Sequence, residues 1–297
     1  VSALATTRFA PAPTGRLHLG HLANAIFVWG LARRTGGRVL LRIEDHDRQR
    51  CRPEYEAAIL DDLDRLGLQA DEPSTDELRR GPSAFRQSDN GALYAAAVEQ
   101  LRARDLVYAC DCSRSTFDAW RKANRRAWAG PGCPGGCRER RLRDGAGPTL
   151  RAAVGDGEER WIDVLLGPRS GSAAATGDPP VRDRNGNWTY ALCVVVDDLR
   201  HGVNLVVRGE DLLDATPAQI RLGALVGRAS APTFAHHPLV RRPDGSKLSK
   251  ADGATAVGEL LEAGRSAEEL IGEAAHAVGL SPLHRPIAFD AALALIP

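Results

Sequence analysis

No run of 18 apolar residues occurs in the 297-residue chain, which excludes a conventional membrane-spanning helix. Residues Val1 to Thr7 lack the basic n-region and apolar h-region of a secretory signal, so the expected location is the cytoplasm. Neither sign of charge prevails: 39 Lys and Arg face 38 Asp and Glu, a net +1. Global attraction to nucleic acid is thereby excluded, and any RNA contact falls to local patches such as Arg121-Lys122 with Arg125-Arg126, or the run from Arg138 to Arg143. Methionine is absent altogether, the initiator included, which leaves trimming of the chain open. The first third contains no Gly-x-Gly-x-x-Gly, and with it goes the pyrophosphate cradle of a dinucleotide enzyme.

What is present begins with an alternation of strand and helix. Thr7 to Ala10 reads as a short strand, and Leu19 to Arg34 places Leu22, Ile26, Trp29 and Leu31 at helical spacing. Gly36-Gly37 stops that helix, and Arg38 to Ile43 is a second β run that delivers Glu44-Asp45 at its C-terminal edge. Pro53 opens a helix through Leu66, and Asn90 to Arg104 forms another. The alternation predicts a doubly wound, Rossmann-type α/β half, in which ligands sit beyond the C-terminal strand ends; position alone marks Glu44. Gly155 to Pro180 reads as a flexible or variable connection. Val194-Val195-Val196 and Leu205-Val206-Val207 read as buried segments flanking an Asp197-Asp198 turn, with a helix for the first as the open alternative. Thr216 is expected to cap a helix with Pro217 in its first turn.

Two short segments far apart carry the chemistry. His18-Leu19-Gly20-His21 stands where a Pro/Gly turn meets the start of a long helix, and a helix N-terminus favours phosphate through its unsatisfied N–H groups. Two imidazoles there are candidates to donate hydrogen bonds to an α-phosphate, while Gly20 allows close approach. Near the other end, Lys247-Leu248-Ser249-Lys250 follows Asp244-Gly245-Ser246 and sets two lysines around a serine, suited to gripping leaving pyrophosphate. Taken singly, the histidines also fit a capping role and the lysines a solvated loop.

The pair, in this order, resembles the two signature motifs of class I aminoacyl-tRNA synthetases. Arg8-Phe9-Ala10-Pro11, Arg42-Ile43-Glu44-Asp45-His46-Asp47, Val194 to Asp198 and Val207-Arg208-Gly209-Glu210-Asp211 are similar to the glutamyl and glutaminyl branch, over roughly residues 6–250. The resemblance implies an α/β fold: a Rossmann-type catalytic domain in two halves (1–104 and 181–250), a connective insertion with a zinc site (105–180) and a short helical C-terminal region (251–297). It implies His18, His21, Lys247 and Lys250 as catalytic, with His18, Gly20, His21 and Lys250 binding ATP and Mg²⁺ accompanying the nucleotide. It further implies a glutamate pocket of Arg8, Phe9, Ala10, Pro11, Ala12, Glu44, Tyr190 and Arg208. The chemistry agrees, since glutamate brings two carboxylates for arginines and an ammonium for a carboxylate. Ala12 departs from the serine common in the branch, and Leu248 from the usual methionine.

Four of the six cysteines fall as Cys110-x-Cys112 and Cys133-x-x-x-Cys137. Two close thiol pairs on turns suit tetrahedral Zn²⁺, although neither pair has the usual two-residue gap. Disulfides are disfavoured because nothing points to secretion, and chance clustering stays open. The resembled branch carries a zinc knuckle here that begins as Tyr108-Ala109-Cys110-Asp111-Cys112 does, and on that likeness all four cysteines are ligands of a structural zinc. Cys51 and Cys193 read as small buried hydrophobes. Trp120 and Trp128, among Arg121, Lys122, Arg125 and Arg126, fit either stacking on RNA or packing as an amphipathic helix.

Only residues 251–297 follow Lys250, so no anticodon-binding domain is expected. In this the chain resembles the short members of the branch, the glutamyl-queuosine tRNA(Asp) synthetases, which activate L-glutamate with ATP and transfer it to queuosine in the anticodon loop of tRNA(Asp). A monomer is expected. Three alternatives stay open: a truncated synthetase that charges tRNA(Glu), another class I nucleotidyl transferase, and a catalytically silent zinc-containing RNA-binding module.

Overall fold

The structure, a computed structural model, describes residues 4–124, 130, 132–142, 147–241 and 255–297. The expectations for Lys247, Lys250, Trp128, Arg125, Arg126 and Arg143 lie outside the described residues. In chain order the elements are β1 (Thr6–Phe9), α1 (Leu19–Arg34), β2 (Arg38–Leu41), α2 (Pro53–Arg65), α3 (Thr75–Arg79), α4 (Gly91–Arg102), β3 (Val107–Cys110), α5 (Arg114–Asn124), β4 (Thr149–Ala152), β5 (Glu158–Asp163), β6 (Gly167–Ser172), β7 (Pro180–Arg182), α6 (Tyr190–Arg200), β8 (Leu205–Gly209), α7 (Thr216–Leu225), β9 (Thr233–His237), α8 (Val257–Glu262), α9 (Ala267–Ala277) and α10 (Phe289–Leu293). They fall into two compact units, one of residues 1–89, 203–211 and 234–297, the other of 90–202 and 212–233.

In the first unit β1 and β2 pair in parallel, Thr6 opposite Arg38 through Phe9 opposite Leu41. A parallel pair needs a crossover, and α1 supplies it, as the apolar spacing and the Gly36-Gly37 stop predict. Gly36 takes φ +63°, and a Cβ on Gly37 would lie 2.2 Å from the Ala5 carbonyl oxygen, so the turn into β2 requires this pair. β8 lies beside β1, where the Asn204 amide donates to the Thr6 carbonyl at 3.0 Å, and β8 pairs with β9. α1 packs against β1, β2 and β8 on one side and against α9 and α10 on the other, so it is buried along most of its length. That double cover is why its sequence is apolar nearly all round.

The second unit pairs β3, β4 and β7 antiparallel, with α4, α6 and α7 around a core of Tyr94, Leu101, Leu150, Leu192 and Leu222. Three sequence expectations fail here. Gly155 to Pro180 is no loose connection: β5 and β6 form a hairpin in register from Glu158–Ser172 to Asp163–Gly167. Trp161 and Asp163 point inward by alternation, and one Asp163 carboxylate oxygen accepts the amides of Leu165 and Leu166 to close the turn. The valine run is helix, with Asp197-Asp198 buried inside α6 rather than at a turn. Side-chain bonds outweigh β propensity there: the Tyr94 hydroxyl, from α4, donates to Asp197 at 2.9 Å, and Arg200 Nε, one turn along α6 itself, donates to it at 2.8 Å. Ala215, not Thr216, is the N-cap of α7, since Thr216 is already helical and its hydroxyl donates to the Leu212 carbonyl. Cys193 is buried as expected, whereas Cys51 is only half-buried. Among the described residues no helix is long and apolar enough to cross a membrane.

Candidate active site and cysteine cluster

His18 is the N-cap of α1 and His21 is its third residue. His18 Nδ1 accepts the Gly20 amide at 3.0 Å, and His21 Nδ1 accepts the His18 amide at 3.1 Å, a capping box built from two imidazoles. An acceptor nitrogen carries no proton, so each neutral ring holds its proton on Nε2. The rings lie 4.0 Å apart at 47°. Both the capping and the phosphate readings of the motif are thus compatible, for the capping bonds themselves select the tautomer that can donate from Nε2. Gly20 has a steric reason beyond access: a Cβ there would lie 2.9 Å from His18 Cε1.

The pocket candidates of the first unit collect at the C-terminal ends of β1, β2 and β8. Arg8, on β1, is buried and its Nη1 donates to the Val207 carbonyl at 3.1 Å. Arg208, on β8, is equally buried; its Nε donates to His236 Nε2 at 3.0 Å and its guanidinium lies over the Phe234 ring at 5.3 Å. Glu44 follows β2, its amide donating to the Pro11 carbonyl at 3.0 Å. That bond aligns Glu44 with the stretch in which Phe9 and Pro11 are buried while Ala10 and Ala12 are half-exposed. Two cations and one anion therefore share one strand-end region, the charge pattern an amino acid with an acidic side chain requires. Tyr190 opens α6 in the second unit and is half-buried there.

Reading the sequence missed Arg42. Its side chain is 0 % exposed and its Nη2 donates to Glu44 Oε1 at 2.8 Å, so the carboxylate has a fixed cationic partner. The signal was available: residues i and i+2 of a strand share a face. His236 and His237, on β9, were missed as well. His236 orients Arg208, and His237 joins β9 to α1: its Nε2 accepts from Asn24 Nδ2 at 2.9 Å, its Nδ1 donates to the Pro238 carbonyl at 2.8 Å, and its ring stacks on Phe27. Burial pushes its pKa below the usual histidine range, consistent with a neutral ring that both donates and accepts.

In the second unit Cys110, Cys112, Cys133 and Cys137 bring their sulfurs within 4.8 Å of one another. Tetrahedral Zn–S bonds of about 2.3 Å set sulfurs about 3.8 Å apart, so the cluster has the size and the donor chemistry for zinc. Cys133 and Asp178 exchange backbone hydrogen bonds at 2.7 and 3.1 Å, and the Tyr108 hydroxyl donates to the Asp178 carboxylate at 2.7 Å, fixing one turn. The other turn is gripped by Arg184, which donates to the carbonyls of Asp111 and Cys112, and by Arg140, which pairs with the Asp111 carboxylate and reaches Cys137 Sγ at 3.7 Å. Arg138 donates to the Asp105 carbonyl, so much of the basic run expected to face RNA makes internal bonds. A hydrogen bond to Cys110, then burial, pushes Cys133 up to about 12, and the same bond holds Cys110 below the usual thiol range.

Residues 5–281 match the tRNA synthetases class I (E and Q), catalytic domain. The chain is 42% identical over 288 residues to the Glutamyl-Q tRNA(Asp) synthetase of Symbiobacterium thermophilum, covering 94% of this chain and 88% of that one. It is 40% identical over 272 residues to the Glutamate--tRNA ligase of Synechococcus sp. (strain JA-3-3Ab), covering 89% of this chain but 54% of the ligase. The crystal structure of glutamate-tRNA synthetase from Elizabethkingia anophelis superposes with a TM-score of 0.75 at 26% identity, covering 97% of this chain and 65% of that one. The chain therefore belongs to the class I tRNA synthetases of the glutamyl and glutaminyl branch and carries their catalytic domain.

Proposed function

We propose that this protein activates L-glutamate with ATP and transfers the glutamyl group to the queuosine base in the anticodon loop of tRNA(Asp). The observation that carries this reading is the 42% identity, along nearly the whole of both chains, to a Glutamyl-Q tRNA(Asp) synthetase. In the first step Arg8 and Arg208 take the substrate carboxylates and Glu44, fixed by Arg42, takes the ammonium, with Phe9 to Ala12 lining the pocket; the family resemblance adds Tyr190 to the glutamate-binding residues. The α-carboxylate oxygen attacks the α-phosphorus of ATP in line; the new O–P bond forms as the bond to the β-phosphate oxygen breaks, and pyrophosphate leaves. His18 and His21 donate from Nε2 to the phosphoryl oxygens as charge builds, Gly20 leaves room for the nucleotide, and Lys250 with Lys247 holds the departing pyrophosphate. Mg²⁺ arrives with ATP as part of the substrate. A hydroxyl of the queuosine cyclopentene ring then attacks the acyl carbon, AMP leaves, and an ester remains.

Cys110, Cys112, Cys133 and Cys137 would hold a structural zinc. Bound there, the metal supplies cross-linking of the two turns, and four thiolates leave it no open position for substrate. A second reading, charging of tRNA(Glu), is favoured by the 40% identity to a Glutamate--tRNA ligase. Labelled glutamate offered with tRNA(Asp) containing or lacking queuosine, and with tRNA(Glu), separates the two. The proposed function predicts base-labile label on the queuosine-containing tRNA(Asp) alone; equal labelling of unmodified tRNA(Asp), or strong labelling of tRNA(Glu), overturns it.

A further inference from the structure

Asp62, on α2, is 3 % exposed, and its Oδ2 is buried with no hydrogen-bond partner among the described residues. Its carboxylate accepts the backbone N–H of Gly258 in the first turn of α8. The preceding amide, Val257, donates to the Leu17 carbonyl at 2.9 Å, and Leu17 immediately precedes His18. Arg16 faces Glu259 of α8 at 3.6 Å, and Arg65 of α2 lies 4.0 Å from Glu262. The first turn of α8 is thus fastened, at Val257 and Gly258, to both α2 and the lead-in of α1. Gly258 is part of the fit, because a Cβ there would lie 2.6 Å from Asp62 Oδ1.

We propose that Asp62 is a positioning residue for the phosphate chemistry: by holding Gly258 it fixes the first turn of α8 against Leu17, and so fixes the backbone that enters His18. The inference rests on the role proposed for His18 in ATP activation. A burial cost borne by the carboxyl, whose pKa is pushed up to about 6 by desolvation, is consistent with a group kept for its placement. Asp62 acts through α8 and touches no reacting atom, so its effect falls on the ATP side of the reaction and spares the glutamate pocket.

The test is a cycle of Asp62→Ala, Gly258→Ala and the double variant, with Asp62→Asn as the conservative change, read by glutamate-dependent ATP–pyrophosphate exchange and by hydrogen exchange at the Val257 and Gly258 amides. Asp62→Ala and Gly258→Ala should each lower exchange about tenfold through kcat or the KM for ATP, the loss of one positioned hydrogen bond, with the KM for glutamate unchanged. Both should lose amide protection, and the double variant should be no worse than Asp62→Ala, because the atom that a Cβ at 258 strikes is gone. Asp62→Asn keeps an acceptor and should retain near wild-type exchange. Unchanged ATP kinetics in both single variants, or additive losses in the double, overturn the proposal. Should Asp62→Ala fail to fold, Gly258→Ala against Asp62→Asn decides alone. Absence of exchange in the wild-type protein would instead refute the function proposed above, while amide protection still reports whether Asp62 pins α8.

Discussion

Asp62→Asn should change how stability depends on pH. Burial raises the Asp62 carboxyl from its ordinary 3.8 to about 6, against the opposing pull of Arg65, Arg16 and the Gly258 N–H, with Asp61 adding to the rise. In the unfolded chain the group titrates at its ordinary value, so between pH 4 and pH 6, roughly, the folded protein holds a proton that unfolding releases. The sign follows: the folded state binds more protons, so stability is highest below that window and is lost as pH rises through 6. Two units at about 1.36 kcal/mol each set the full loss at about 3 kcal/mol, constant above pH 7. Asn carries no charge at any pH and still accepts from Gly258, so the variant should lack this slope.

Urea denaturation of both proteins at steps from pH 4.5 to 7.5, followed by circular dichroism, gives the difference in unfolding free energy. Variant minus wild type should rise by about 2–3 kcal/mol across the range. A buried amide N–H₂ with no acceptor costs the variant about 1–3 kcal/mol, but equally at every pH, so the slope and not the offset carries the test. A difference flat in pH would refute the account of Asp62 as a desolvated carboxylate.

Gly20→Ala should lower ATP–pyrophosphate exchange by about 10–10², because the new Cβ displaces the His18 ring from its cap; an unchanged rate would show that this ring does not serve the phosphate. His18→Asn separates capping from chemistry: Asn is a good N-cap, so thermal stability should shift little, while loss of the Nε2 donor costs exchange about 10²–10³. Near wild-type exchange in that variant would assign His18 to the helix alone. Glutamate should support exchange and glutamine should not, since an amide facing arginine forfeits about 1.5–3 kcal/mol for one charged hydrogen bond, a difference read from the two exchange rates. Zinc should be present at one equivalent and be released to a chelator faster at pH 5.5 than at 7.5, because protons compete for thiols whose pKa reaches about 11 at Cys112 and about 12 at Cys133. Metal analysis that finds no zinc in protein purified without chelator would refute the cluster as a zinc site.

How far the sequence could be read depended on whether a feature was local. The bounds of α1 were legible because its stop, Gly36-Gly37, and its apolar spacing are consecutive in the chain. The four cysteines were legible because two turns each bring a pair. By contrast, the pattern at α6 left strand and helix both open, since Asp197 is held within the helix by Tyr94, about a hundred residues earlier. Arg42 was passed over because a charge in a strand reads as solvent-facing until a partner two residues on, Glu44, is seen beneath the same face. Asp62 was hidden for a similar reason: beside Asp61 on an amphipathic helix it looks exposed, and only the arrival of α8 buries it.

A local bond also prepares the proposed phosphate-binding motif. In the capping box of His18 and His21 each Nδ1 is spent on a backbone amide, which both starts α1 and leaves the proton on Nε2. A solitary imidazole in solution exchanges tautomers; here a reversal would turn an acceptor into a second donor facing an N–H and forfeit a hydrogen bond worth about 1 kcal/mol at each ring. Folding of the helix and readiness of the donor are therefore one equilibrium. Arg208 and His236 obey the same rule at the proposed glutamate pocket, for the guanidinium can donate only to a ring nitrogen that carries no proton.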